Sequence, residues 1–203
     1  MMSWATRALL TSLLMTGLPG QRCVSQSPAL HAKDLYGHTI GTFSAPGDRA
    51  VVFVFAATDC PISKRYIPEI TRIEKEFSAQ GVSFWWVFPN PGDTVSVVRH
   101  HELDYSIHAK TVIDNQQQLA QLAHVAVTPE VAVFSIDHGA LREAYHGRVD
   151  DLFTSFGRSR PVATRHDLED AIAAVLAGRA ATPAAHGPVG CSIIPLAMVN
   201  QSK

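Results

Sequence analysis

Of the three cysteines in this 203-residue chain, Cys60 has the setting most suited to chemistry. It follows the apolar run Val51-Val52-Phe53-Val54-Phe55-Ala56 and immediately precedes Pro61. Proline is favoured at the first position of a helix, so Cys60 is predicted to be the N-cap of a helix that begins at Pro61. Unpaired backbone N–H groups and the positive end of the helix dipole then face its sulfur. Both stabilise a thiolate and pull the thiol below the ordinary value of about 8.5. A thiolate attacks disulfides and peroxides and binds soft metals. The alternative is a buried, inert cysteine.

The other residues of chemical interest narrow the field. No Cys-x-x-Cys occurs, so neither a zinc knuckle nor a c-type haem attachment site is predicted. Ten histidines are scattered, and the one adjacent pair, His100-His101, has no companion at helical spacing. No metal or other cofactor is therefore called for. The formal net charge of −1, without a basic stripe, argues against nucleic acid as a partner.

Arg7 precedes the apolar stretch from Ala8 to Leu18, which is followed by Pro19-Gly20. A positive start, a short apolar segment and a helix-breaking exit read as a secretory signal over residues 1–25. The stretch is too short for a membrane span, so no stable span is expected after processing. Arg22 stands where a lipoprotein cysteine needs a small residue, which argues against a lipid anchor on Cys23. The expected location is periplasmic or secreted, where disulfides persist.

The elements that must position Cys60 follow from apolar periodicity. Val51–Ala56 is predicted to be a strand buried on both faces, as is Val82–Phe88. Ile67, Ile70, Ile73 and Phe77 recur at helical spacing in a helix from Pro61 that carries Pro68 inside it. Helices are expected over 94–103 and 116–124, and a short strand over 111–113. Val131–Ile136 and Ala140–His146 flank Asp137-His138-Gly139 as a hairpin. Thr164-x-x-Asp167 resembles the start of a last helix that ends at Gly178. This order gives an α/β fold with a mixed central sheet flanked by helices. Residues 179–203 are rich in Pro, Gly and Ala and are expected to be a flexible, unpacked tail. The 13 residues from Gly178 to Cys191 could span about 43 Å, enough to reach almost any face of the domain.

The segment Phe53-Val54-Phe55-Ala56-Ala57-Thr58-Asp59-Cys60-Pro61-Ile62-Ser63, a proline eight residues beyond the cysteine, and Val127-Thr128-Pro129-Glu130 before a strand together resemble the thioredoxin-like superfamily. The resemblance is to its redoxin branch, the peroxiredoxin-like AhpC/TSA type, and covers residues 29–178. It implies a thioredoxin fold and a cis Thr128–Pro129 bond packed beside Cys60, so that Thr128 and Pro129 join Cys60 in the site. It also exposes departures. Ser63 stands where thioredoxins carry their second cysteine, which rules out a local dithiol cycle. Ala57 stands where peroxiredoxins orient peroxide with a Thr or Ser, and Thr58 is one residue off. Lys64 replaces the second cysteine of Sco-type copper-delivery proteins.

The function expected is an exported thiol oxidoreductase with Cys60 as nucleophile, acting on protein disulfides or on a peroxide with an external thiol as reductant. Cys191 is the remaining candidate to resolve a Cys60 intermediate, and the tail also resembles exported redoxins that end in a similar Val-Gly-Cys stretch. A structural Cys60–Cys191 clamp is the bland counterpart. The other class is a non-catalytic thioredoxin-fold module that binds an extended partner along the proline loop, or that handles copper through Cys60, Cys191 and a histidine such as His186.

Overall fold

The structure, a computed structural model, describes residues 30 and 32–199. The leader expected over residues 1–25, with Cys23, lies outside the described residues. In chain order the elements are β1 (Ala32–Asp34), β2 (Thr39–Ile40), β3 (Ala50–Phe55), α1 (Pro61–Ser78), β4 (Val82–Phe88), α2 (Val95–Tyr105), β5 (Lys110–Ile113) and α3 (Gln118–Leu122). They continue with β6 (Val127–Thr128), β7 (Glu130–Asp137), β8 (Ala140–Gly147), β9 (Phe153–Ser155), β10 (Arg158–Ser159), α4 (Asp167–Leu176), β11 (Cys191–Ser192) and α5 (Leu196–Val199). Among the described residues, no helix is long and apolar enough to cross a membrane.

Seven strands form one mixed sheet in the order β2-β1-β5-β4-β3-β7-β8. The three at its centre, β5, β4 and β3, run parallel, and β1 and β7 flank them antiparallel. This is the thioredoxin-like arrangement expected. Every residue of β3 and β4 is buried, which accounts for their unbroken apolar sequences. Alternate residues feed opposite cores. Val52, Val54 and Val133 pack with Ile67, Ile70 and Ile73 of α1 and Leu168 and Ile172 of α4. Val51, Phe53, Phe55 and Phe134 face the other way, onto Phe43 and onto Leu119 and Ala120 of α3.

Pro68 lies within α1, which nevertheless runs unbroken from Pro61 to Ser78. The β7–β8 turn places His138 at φ 50° and Gly139 at φ 83°, the left-handed pair that a two-residue hairpin turn needs. The small hairpin β9–β10 carries no signal in its sequence that periodicity detects.

Two expectations are corrected. The last helix starts at Asp167, with His166 at the N-cap position and no side-chain cap, so Thr164 does not cap it. The Thr164 backbone N–H and hydroxyl instead both donate to Asp151, each at 2.6 Å. Asp167 is buried and receives Arg148 Nε at 2.7 Å. The tail is also more than a tether, because β11 pairs antiparallel with β6 and Ile193 is buried.

Burial of α1 against the sheet generates a direct expectation. Ile70 is 0% exposed, so Ile70→Ala should lower unfolding stability by about 2–5 kcal/mol in urea titration. Leu103→Ala, on the solvent side of α2, should change it by less than about 0.5 kcal/mol.

Candidate functional site

Cys60 is the N-cap of α1, with extended backbone and Pro61 as the first helical residue. β3 delivers the chain to that point. Its register with β7 sets Phe55 opposite Glu130, so the end of β3 lies alongside Pro129. The Thr128–Pro129 peptide is cis. Cys60 Sγ donates to the Thr128 carbonyl at 3.0 Å. From the other side, the Glu130 carboxylate accepts the Ala126 and Val127 N–H groups at 3.0 and 3.4 Å. The loop before Cys60 is tied by Asp93, whose Oδ1 accepts the Thr58 N–H at 3.0 Å and the Thr58 hydroxyl at 2.5 Å.

The tail closes over this arrangement. Cys191 pairs with Thr128 and Ser192 with Val127, and the Thr128 hydroxyl donates to the Cys191 carbonyl at 3.3 Å. Beyond the strand, Ile193 N–H donates to the Ala126 carbonyl and Ile194 N–H to Asn90 Oδ1, both at 2.9 Å. Gln117 Nε2 donates to the Ile194 carbonyl at 2.7 Å. The approach is so close at Gly190 that a Cβ there would stand 2.2 Å from the Thr128 carbonyl oxygen. Only glycine admits this contact.

Cys60 is 1% exposed, not open to solvent as a nucleophile at a helix mouth is expected to be. Its cover includes Cys191 and Val189, which pack against the same apolar cluster. Both Cys60 and Cys191 are free thiols. Burial pushes the Cys60 thiol up, yet hydrogen bonds from the Cys191 thiol and from Ser63 outweigh it and hold the group below the ordinary cysteine value. Burial and the neighbouring Cys60 sulfur push Cys191 the other way, up to about 12. Ser63 is buried, and its hydroxyl lacks a conventional partner while Cys60 is a thiol. Ionising Cys60 supplies one.

The structure thus brings together Cys60, Thr128, Pro129 and Cys191. It does not bring His186 to the sulfurs as a third ligand; that side chain lines a cavity of about 400 Å³ between β8 and the tail. Asp93 and Gly190 escape sequence reasoning. Asp93 is a lone carboxylate in a Pro- and Gly-rich loop, and Gly190 matters only once the tail is known to touch Thr128.

The sequence pattern of the AhpC/TSA family matches residues 24–145, more than half of the chain. No curated protein matches. Among solved structures, a hypothetical protein from Sinorhizobium meliloti 1021 aligns at 22% identity with a TM-score of 0.67, over 81% of this chain and 89% of that one. An uncharacterized conserved protein from Geobacillus kaustophilus aligns at 25% identity and 0.66, over 81% and 88%. MTB dsbF, solved in mixed oxidized and reduced forms, aligns at 17% identity and 0.51, over 72% and 95%. These similarities show a shared fold.

Two outcomes are expected from this geometry. Ultraviolet thiolate absorbance should show one thiolate forming below the ordinary cysteine range and a second only near pH 12. In Cys191→Ala the first should move upward, because a hydrogen bond to the thiolate is lost; an unchanged midpoint would contradict the assignment. Gly190→Ala should lift the tail strand and speed Cys60 alkylation at least about tenfold at alkaline pH, with the far-ultraviolet circular dichroism unchanged.

Proposed function

Since the chain belongs to the AhpC/TSA family, we propose that it is an exported thiol–disulfide oxidoreductase in which Cys60 is the nucleophile and Cys191 resolves its intermediate. The observation that carries this reading is the meeting of Cys60 and the free Cys191 at one residue, Thr128, whose carbonyl accepts from Cys60 Sγ and whose strand pairs with Cys191. Export rests on the leader read from residues 1–25.

The steps follow from ordinary thiol–disulfide exchange. With the tail lifted, Cys60 loses the support of Cys191 but keeps that of Ser63, and its thiolate attacks one sulfur of a partner disulfide, forming a mixed disulfide and releasing the other sulfur as a thiolate. Cys191 then loses its proton and attacks the Cys60 sulfur, expelling the remaining partner thiolate and leaving a Cys60–Cys191 disulfide. An external dithiol reduces that bridge and is itself oxidised. The two cysteines are suited to different steps. Charge on Cys60 contributes to keeping Cys191 protonated. Once Cys60 is held in the mixed disulfide that charge is gone, and Cys191 ionises more readily when it is needed.

Disulfide substrates are favoured over peroxide by the loop before Cys60. Ala57 offers no hydroxyl there, and the Thr58 hydroxyl is engaged by Asp93. β6 also accepts an extended chain beside Cys60, as its pairing with the tail demonstrates, and thereby suits a peptide disulfide.

Mixing the reduced protein with a peptide disulfide should yield an intramolecular Cys60–Cys191 bridge. Cys191→Ser should instead accumulate a mixed disulfide at Cys60, and Cys60→Ser should not react, all read by intact-mass spectrometry. A wild-type Cys60 left untouched by disulfides but converted by hydrogen peroxide would move the protein to peroxide chemistry. A bridge that resists mild reductant would reduce Cys191 to a clamp.

A further inference from the structure

A second cluster of reactive side chains lies away from the thiols, where α3 ends over the hairpin β7–β8. In a regular strand, residues three apart point to opposite faces. β8 breaks that rule. His146 pairs with Ala132 and Tyr145 with Val133, but the register then shifts so that Glu143 pairs with Phe134. Ala144 is the extra residue of a β-bulge, and Ala132 and Phe134 belong to one core face. The bulge therefore carries Glu143 round to the face of His146. Bulges are known for re-aiming side chains in this way.

From the opposite side, Ala123 is anchored at 0% exposure beyond α3, and the next residue, His124, turns into the left-handed region at φ 52°. This delivers its ring to the same carboxylate. His124 Nδ1 lies 3.0 Å from Glu143 Oε2, and His146 Nδ1 lies 2.7 Å from Glu143 Oε1. One donor atom from each of the three residues falls within 4.8 Å of the other two. Donors on a tetrahedral ion at about 2.0–2.1 Å stand roughly 3.4 Å apart, so only small rotations separate this cluster from a coordination set.

We propose that His124, Glu143 and His146 form a binding site for a divalent transition cation of the Zn²⁺ type. Two imidazole nitrogens and one carboxylate are the donors such ions prefer, and they suit neither Ca²⁺ nor Mg²⁺, which take oxygen. All three side chains reach the surface, so the ion has a path in. Three protein ligands leave a coordination position for water or for a further donor. Glu143 and His146 also line the cavity of about 400 Å³ whose wall includes Glu130 and, from the tail, His186. A cation here cross-links the end of α3 to β8 beside the segment that leads to Cys191.

Zn²⁺ titration of the chelator-treated full chain by calorimetry tests the site, with Co²⁺ as the spectroscopic probe. One Zn²⁺ should bind per chain, and binding should persist in Cys60→Ser/Cys191→Ser. His124→Gln and His146→Gln should each weaken it by at least about tenfold, with circular dichroism unchanged. Bound Co²⁺ should show a tetrahedral visible spectrum without a sulfur charge-transfer band. Binding that survives both histidine substitutions, or that vanishes with the cysteines, overturns the proposal, as does the absence of saturable binding.

Discussion

The site depends on one close approach, Cys60 Sγ to the carbonyl of Thr128 at 3.0 Å, which is a hydrogen bond in the thiol form. It joins two parts of the chain that only the sheet can bring together. β3 ends at Phe55, and β7 begins at Glu130 directly across from it, so the helix start and the proline loop meet at one end of the sheet. The same Thr128 carries the tail on its other side, through pairing with Cys191 and the close approach of Gly190. Move Thr128, and Cys60, Pro129 and Cys191 part company together. That explains why its surroundings are so heavily tied, with Glu130 holding the two N–H groups before it and Asp93 holding the loop before Cys60.

Electrostatics then separates two chemically identical thiols. Burial alone would raise both. At Cys60 the N-terminus of α1, the Ser63 groups and the Cys191 thiol all favour negative charge, and they prevail. Cys191 has no helix end behind it and faces the charge on its neighbour, so its proton is retained. The asymmetry follows backbone placement: one cysteine stands at the N-cap of an 18-residue helix and the other sits in a two-residue strand.

Features set by local chemistry were legible in the sequence. The unbroken apolar run of Val51–Ala56, the proline after Cys60 and the His138-Gly139 turn each led to an element that the structure contains, whereas the cis Thr128–Pro129 bond was implied by the family resemblance. Features that depend on contacts between distant segments were not. Residues 179–203 read as unpacked because Pro, Gly and Ala bury little, yet backbone bonds, Ile193 and the packing of Ala181, Ala184 and Val189 against the core seat the segment. Thr164 looked like a cap because its partner, Asp151, is 13 residues away. The bulge at Ala144 leaves no periodic trace, and without it Glu143 and His146 would be assigned to opposite faces.

The modest size of the tail's attachment matters to the chemistry. A cysteine that is 1% exposed, as Cys60 is, meets no macromolecular substrate of the kind proposed unless something opens. β11 contributes two paired residues, and Gln117 and Asn90 hold the segment after it. Each such hydrogen bond has a net worth of about 1 kcal/mol; Ile193 is the buried apolar anchor, and the small side chains Ala181 and Ala184, with Val189, add partly buried contacts. Segments held this lightly open without disturbing the sheet beneath them. Cys60 itself is fixed by β3 and α1, elements with fully buried cores, so it stays in place when its cover leaves. The fold thus sets one cysteine on rigid elements and the other on a segment attached at its edge. In the proposed reaction this lets Cys60 be exposed first and then be attacked from the position its cover occupied.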